Sequence, residues 1–594
     1  MDRIGNAEKI RQSAARQKDQ LWKNFERRRE EYLEIAEAFY PAAIEGLTQQ
    51  VEHQILQTQD DTRTNDRDRL TTMPMQAFQV GVSGFFVNIT SPAKRWCTIK
   101  ARPQRFETGA ADEDTAKVTD EITEAMRYLM RRCGVYRSIH TAWKHLLAFG
   151  NAVILVRPET EEEQATRGRY VYTECLRMGT YAIGVDDHGK VDRVVRHFAW
   201  NAEQLAAQFG RGNLPENVLK ALDRGDIETQ FEVWNLIEPH RKGFRKDANE
   251  FRLNYRKFSY RSIYWLNSTQ GQNFGVLAVR GYVFNPIVAP RFELEAGDVW
   301  GRGRGADALG LAHGLQTIRE DILDISGQNA QPAVCASDEL KGSGLHLGRG
   351  GVNWVASGEQ KANAIYRALQ EPGNTSEARN DAEVLMNEIK NRFFNSEFAS
   401  IDALKNQAGV KTATEIEYIR WDNFEQLSGI ATTMDDEFLD PLATLFMNLT
   451  LYLGFAEIPR GMSLRDMEIH YESDVHKAQN AADINARNAS INFAVQIANV
   501  KPEILDNFAA DKIVRAHHRV LGAPEQDLAP MDAVAQIRAE RAEAQQAEAQ
   551  MQQAEREAHV VKELGSTPIG PESYGGKLMA AAAGAQPAGG GAVL

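Results

Sequence analysis

Apolar and polar positions change rhythm twice along the chain. Residues 8–40 are highly charged but carry aromatics at Trp22, Phe25, Tyr32 and Phe39. That pattern predicts an amphipathic helix ending before Pro41, because a proline disfavours helical geometry in the residue ahead of it. The polar run 60–69 predicts a loop. Between residues 152 and 200 the pattern turns to strands, with candidates at 152–156, 170–173, 181–185 and 191–197. The last two flank Asp186-Asp187-His188-Gly189, whose Asp and Gly suit a hairpin turn. Further strands are expected at 231–237, 261–265 and 276–283. Beyond residue 300 the chain reads as mainly helical.

Three helices can be read closely there. The first spans about 306–328, with Leu311, Leu315, Ile318, Ile322 and Ile325 on one seam and Arg319, Glu320, Asp321 and Asp324 off it. The second opens after Pro372-Gly373, where Asn374 can cap and Glu377 follows three residues on; its seam is Ala378, Ala382, Leu385, Ile389 and Phe393. The third starts at the capping-box pattern Thr412-Ala413-Thr414-Glu415 and runs to about Gly454 with a bend at Pro441. Continuous, it would be roughly 60 Å long. Between the first two lies a glycine-rich excursion, 332–373, with only short apolar pieces. A last helix is expected over 531–564, rich in Ala, Gln, Glu and Arg with few large apolar residues. So thin a packing face needs neighbouring copies to be stable. The Ala/Gly tail 580–594 reads as disordered.

A length of 594 residues implies three or four structural units, and 43% hydrophobic content is enough to give them cores. The net charge of −13 argues against a protein that grips DNA by its phosphates, but does not exclude a channel through which DNA slides without sticking. Cys97, Cys133, Cys175 and Cys335 are too scattered for a zinc site or a disulfide framework, which fits a reducing cytoplasm. Residues 1–23 are charged and lack the apolar core of a signal peptide. The apolar stretch 442–458 includes Asn448 and Glu457 and falls short of the ~20 residues of a membrane span, so it reads as a buried helix.

Candidate chemistry is sparse. Trp300-Gly301-Arg302-Gly303-Arg304-Gly305 leads into a helix, but no GK[ST] follows, so a tight backbone turn accounts for it better than a phosphate loop. His140 and His145 lie outside any HExxH, and the adjacent His517 and His518 would point apart on a helix. Asp435-Asp436-Glu437 and Asp112-Glu113-Asp114 lack the spacing of a calcium loop and read as solvated helix faces. No GxSxG occurs. Neither an enzyme nor a cofactor is indicated.

Several segments carry a resemblance. They are Gly81-Val82-Ser83-Gly84 with Thr90-Ser91-Pro92-Ala93-Lys94-Arg95-Trp96, then Phe149-Gly150-Asn151-Ala152, and the hairpin at 179–196. The most specific are Asn285-Pro286, Pro290-Arg291-Phe292, Trp300-Gly301-Arg302-Gly303 and Thr412-Ala413-Thr414-Glu415. From about residue 20 to 475 the chain resembles the head-to-tail connecting (portal) proteins of short-tailed phages, with Trp300 where that family typically has Tyr.

The resemblance implies an α+β, mainly helical, ring-forming portal fold, usually of about twelve copies. Residues 1–305 would form a mixed wing, 306–331 and 374–394 a helical stem, 332–373 a small clip, and 395–411 a channel loop. Residues 412–475 would return to the wing as a long helix and a strand, 476–530 build a crown, 531–564 a helical barrel, and 565–594 a disordered tail. Partners would be double-stranded DNA in the channel, the terminase packaging motor, a tail adaptor, and the major capsid and scaffolding proteins. No membrane is implied. The place would be the virion's head–tail junction, after assembly in the host cytoplasm. DNA that must slide calls for an acidic wall, so Glu320, Asp321, Asp324, Glu383 and Glu388 are candidate channel residues, with Lys390, Arg392 and Lys405 making a few transient phosphate contacts. Inter-subunit salt bridges or plain solvated surface are the alternative for these charges. The rival functions are an internal scaffolding protein and, less favoured, a terminase-type enzyme.

Overall fold

The aromatic stripe of the first helix fixes where the N-terminal segment lies. In the computed structural model, α1 (Asp2–Phe39) buries Phe25, Tyr32 and Phe39, while Trp22 is half-buried. It stops before Pro41 as expected, and a single turn, Pro41–Ala43, leads into the short α2 (Ile44–Thr48). The structure describes residues 2–48, 70–101, 113–226, 228–240, 258–266, 275–330, 334–336, 365–367, 375–398, 427–458, 467–473, 475–476, 490–497, 508–511, 513–515, 528–529 and 531–566. Residues 1–522 and 523–594 form separate compact units. The expected loop at 60–69, the histidine pair 517–518 and the tail 580–594 lie outside the described residues.

Three further helices follow: α3 (Met73–Ile89), α4 (Glu113–Cys133) and α5 (Val135–Phe149). Between α3 and α4, β1 (Cys97–Ala101) forms an edge whose partner lies far along the chain. Next come β2 (Ile154–Pro158), α6 (Glu161–Arg167) and β3 (Val171–Cys175). Then β4 (Tyr181–Val185) and β5 (Val191–Asn201) form the expected hairpin. Its turn is held as the sequence suggests: Asp186 Oδ1 accepts from the His188 and Lys190 amides, and Gly189 takes a φ of +76°. Two helices that the hydrophobic pattern did not announce follow, α7 (Ala202–Phe209) and α8 (Glu216–Asp223).

The meander continues through β6 (Gln230–Pro239), β7 (Tyr260–Leu266) and β8 (Val276–Tyr282), making a five-stranded sheet in sequential order from β4. Leu205, Phe209 and Val218 of the inserted helices cover Val233, Tyr264 and Leu277 of this sheet, forming a small apolar core of their own. The two-residue β9 (Ile287–Val288) joins β2 and β3 in a three-stranded sheet.

The helical half begins with α9 (Arg304–Ala330), then β10 (Val334–Ala336), β11 (Ile365–Arg367) and α10 (Ser376–Arg392). β10 and β11 pair antiparallel, at the two ends of the glycine-rich excursion. α9 and α10 pack along one another. Their predicted seams supply the contact: Leu315 and Ile322 are buried on one, Ala382, Ile389 and Phe393 on the other. The start of α10 departs from expectation. It opens at Ser376, and the side chain of Thr375 ahead of it makes no capping bond, while Asn374 lies outside the described residues.

The next helix differs more. From Ser428 to Tyr452 it comprises α11 (Ser428–Met434), a π-helical turn at Asp435–Leu439 and α12 (Asp440–Tyr452). Pro441 lacks an N–H and its ring would press on the carbonyl four residues back, so a widened turn relieves the conflict. The stretch from Thr412 to residue 426 is outside the described residues. As expected, the apolar positions from Leu442 to Leu449 are buried, though the helix ends at Tyr452, with Gly454 at φ +73° just beyond. β12 (Met467–Tyr471) then pairs antiparallel with β1. In the second unit, α13 (Met531–Ser566) is exposed wherever its central side chains are described, consistent with its thin apolar face.

Among the described residues no helix is long and apolar enough to cross a membrane, and Cys97, Cys133 and Cys175 are free thiols. Two buried histidines make stability depend on acid. Burial, helped by Lys144 and Arg177, pushes His145 down to about 4, and burial does the same to His197, to about 4. Both values lie below the ordinary 6.5, so the unfolded chain takes up protons first as pH falls. Stability is therefore full above about pH 6.5 and is lost as pH drops toward about 4. Chemical denaturation at pH 5 should show a loss of about 2 kcal/mol per histidine relative to pH 7. His145→Gln should flatten that slope; an unchanged slope would contradict the assignment.

Candidate channel helices and the clasp that anchors them

α5 ends at Gly150, which sits in the left-handed region at φ +79° and accepts no side chain there. A Cβ at Gly150 would lie 2.3 Å from the carbonyl carbon of Arg302, and one at Gly303 would lie 2.5 Å from the Gly150 nitrogen. One at Gly305 would lie 2.4 Å from the Ala148 oxygen. Two backbones therefore cross in direct contact at the point where α9 begins. Asn151 stitches them together. Its Nδ2 donates to Tyr32 Oη (3.1 Å), Phe149 O (3.0 Å) and Gly301 O (2.9 Å), while its Oδ1 accepts from Gly301 N at 2.7 Å. Two backbone bonds extend the junction, Phe292 N to Gly150 O and Arg302 N to Glu293 O.

This arrangement explains the glycines of the 300–305 segment. Amides that a phosphate would need are already committed, Gly301 N to Asn151 and Arg302 N to Glu293. The segment is a close-packed crossing, in line with the turn read from the sequence.

Beside the clasp, Arg291 is almost wholly buried at 1% exposure. Its Nε and Nη2 donate to the two oxygens of Glu437 at 3.0 and 2.7 Å, and Nη2 also reaches Gly189 O at 2.7 Å. His476 Nε2 lies 2.8 Å from Asp435 Oδ1, and His476 Nδ1 is 2.5 Å from Ser473 Oγ. These contacts correct the reading of Asp435-Asp436-Glu437 as a solvated helix face. Asp435 and Glu437 both point into ion-pairing positions, and only Asp436 is exposed. The cause is the π-helical turn, which shifts the register of this stretch from that of a regular α-helix. Among the described residues no group of three or more His, Cys, Asp or Glu side chains is placed to hold a metal ion.

From the clasp α9 carries the candidate acids away. Glu320, Asp321 and Asp324 are exposed, and Glu320 accepts from Gln316 Nε2 at 3.2 Å. On α10, Glu383, Glu388 and Arg392 are exposed and Lys390 is half-buried. Lys405 lies outside the described residues. At about 100° per residue, Glu320 and Asp324 share a face opposite the seam, but Glu383 and Glu388 do not share one. Glu383 instead lies in line with Lys390. Sequence reasoning missed two apolar positions off both seams, Leu323 and Val384, which are 54% and 56% exposed. Their signal was a large aliphatic residue on a face assigned to solvent.

The family described as bacteriophage head to tail connecting protein matches residues 11–528. The chain belongs to that family. The matched span takes in the clasp, α9 and α10, and stops before α13 begins at Met531. This connector is 26% identical over 493 residues to the "Probable portal protein" of Bordetella phage BPP-1, covering 83% of the connector and 85% of that relative. It is 25% identical over 520 residues to the "Portal protein" of Salmonella phage epsilon15, covering 86% and 89%. Both alignments extend over far more of the chain than the short motifs that first suggested the likeness.

Proposed function

We propose that this connector is a portal subunit that closes into a ring, of about twelve copies, through which double-stranded DNA is packaged, retained and ejected. The observation that carries the reading is the family match over residues 11–528, which includes a helix pair built on a rigid clasp. In this reading α9 and α10 are the stem and residues 332–373 the clip that meets the terminase motor and later the tail adaptor. Residues 395–411 form the channel loop and 476–530 the crown, while α13 joins its copies in a barrel. Capsid and scaffolding proteins hold the ring at the head–tail junction. It works without catalysis or cofactor.

The charge pattern supports a passive channel. Exposed acids on α9 and α10 repel phosphate, and Lys390, Arg392 and Lys405 allow brief contacts. Only one face of each helix can look into the lumen, so Glu320 with Asp324 forms the best candidate pair on α9. Exposed Leu323 and Val384 supply apolar contacts between neighbouring copies. Electron micrographs of the purified protein should show rings with a central hole; monodisperse monomers would end the proposal. Lys405→Glu should alter DNA retention after packaging, and unchanged retention would remove Lys405 from the channel.

A further inference from the structure

A cavity of about 470 Å³ opens between the five-stranded sheet and the β2–β3 hairpin, away from α9 and α10. Five arginines line it, Arg157, Arg167, Arg177, Arg196 and Arg280, against two glutamates, Glu45 and Glu174. In a chain of net charge −13 this is a local inversion of sign. The guanidiniums are built into place. Arg157 sits 4.9 Å above the Tyr172 ring and Arg196 is 5.1 Å from the Phe198 ring. Arg280 lies 5.7 and 5.6 Å from the Phe209 and Tyr264 rings.

Hydrogen bonds fix their orientation further. Arg196 Nε donates to the buried Asn235 at 3.1 Å, and Arg280 Nη2 donates to Gln208 O at 3.0 Å. Arg157, Arg177 and Arg196 each pair with one carboxylate, Glu163, Glu45 and Glu174, and Arg167 lies 4.0 Å from Glu159, whereas Arg280 has none among the described residues. Burial pushes the Tyr264 phenol up, but the charges of Arg196 and Arg280, a hydrogen bond with Ser262 and the charge of Arg157 bring it below its ordinary value.

We propose that this cavity binds a phosphate-type polyanion. A lone carboxylate has two oxygens and a single charge, too few to engage guanidiniums arriving from β2, β5 and β8. A chain of phosphates presents oxygens in several directions with the fork geometry that arginine matches. The aromatic rings already back the guanidiniums, which leaves the charged edges, rather than a stacking surface, facing the ligand. The cavity volume suits a compact molecule. This site is independent of the channel reading, since none of its residues lies on α9 or α10.

Calorimetric titration of inorganic tripolyphosphate into the whole 594-residue chain tests it. Binding should weaken at least about tenfold in Arg280→Gln. Arg167→Gln, at the half-exposed rim, leaves the packing intact and should weaken binding by about threefold. No heat of binding at millimolar tripolyphosphate, or equal affinity in wild type and both variants, overturns the proposal. So does tighter binding of a glutamate-rich peptide that is lost in the same variants. A short DNA duplex added as competitor separates the sources: displacement assigns the phosphates to DNA backbone, and no displacement assigns them to a free polyphosphate.

Discussion

Gly150→Ala should leave little folded connector. Alanine at φ +79° costs roughly 1–2 kcal/mol from backbone strain alone. Its Cβ would also overlap the Arg302 carbonyl carbon and the Gly303 nitrogen, at 2.3 and 2.4 Å, and neither atom can swing aside as a side chain would. The combined loss is expected to exceed about 4 kcal/mol, the range in which single substitutions abolish folding. Gly168→Ala is the internal control, with φ +65° but nothing within 4 Å of the added Cβ. It should cost only the strain. Thermal melts and soluble yield of the two variants check the difference; equal, mild effects would mean that the crossing is not in backbone contact.

Arg291→Met should be nearly as damaging, by about 3–5 kcal/mol, because it strands the Glu437 carboxylate at 19% exposure. It also leaves the Gly189 carbonyl without its donor, loosening the β4–β5 turn. Pairing it with Glu437→Gln should recover part of the loss, since the double variant no longer buries an unpaired charge. Denaturation midpoints of the two single variants and the double variant give the coupling. Strict additivity would show that the pair contributes nothing beyond its separate parts.

Much of the fold is legible in the sequence because local pattern and tertiary role agree. Seven strands from β2 to β8 fall where alternation and turn residues put them, within a few positions at their ends. The seams of α9 and α10 face inward as spaced: Leu315, Ile322, Ala382, Ile389 and Phe393 are buried and the other seam positions half-buried. Where the reading fails, the cause is non-local. β1 and β12 pair across most of the chain; Met-Glu-Ile-His-Tyr alternates as a strand should, but nothing local names Cys97–Ala101 as its partner. α7 was overlooked although Asn201 and Gln204 form a reciprocal capping box at its start, a local signal hidden by the strand pattern running straight into it. The acids at 435–437 look solvated on a regular helical wheel, and the π-helical turn invalidates the wheel. The acids of α9 and α10 are a different case. Their exposure is readable from one chain, but under the proposed ring the face that borders the channel depends on neighbouring copies.

The glycine crossing has a mechanical meaning as well. Side chains can absorb a displacement by changing rotamer, and a joint made of them yields under load. Where α9 leaves α5 the contact is main chain against main chain, pinned by Asn151, so there is no rotamer to change. A push delivered to the far end of α9 would therefore reach α5 and α1 with little damping. The joint is stiff by construction, and any compliance along that route must come from the helix shaft itself.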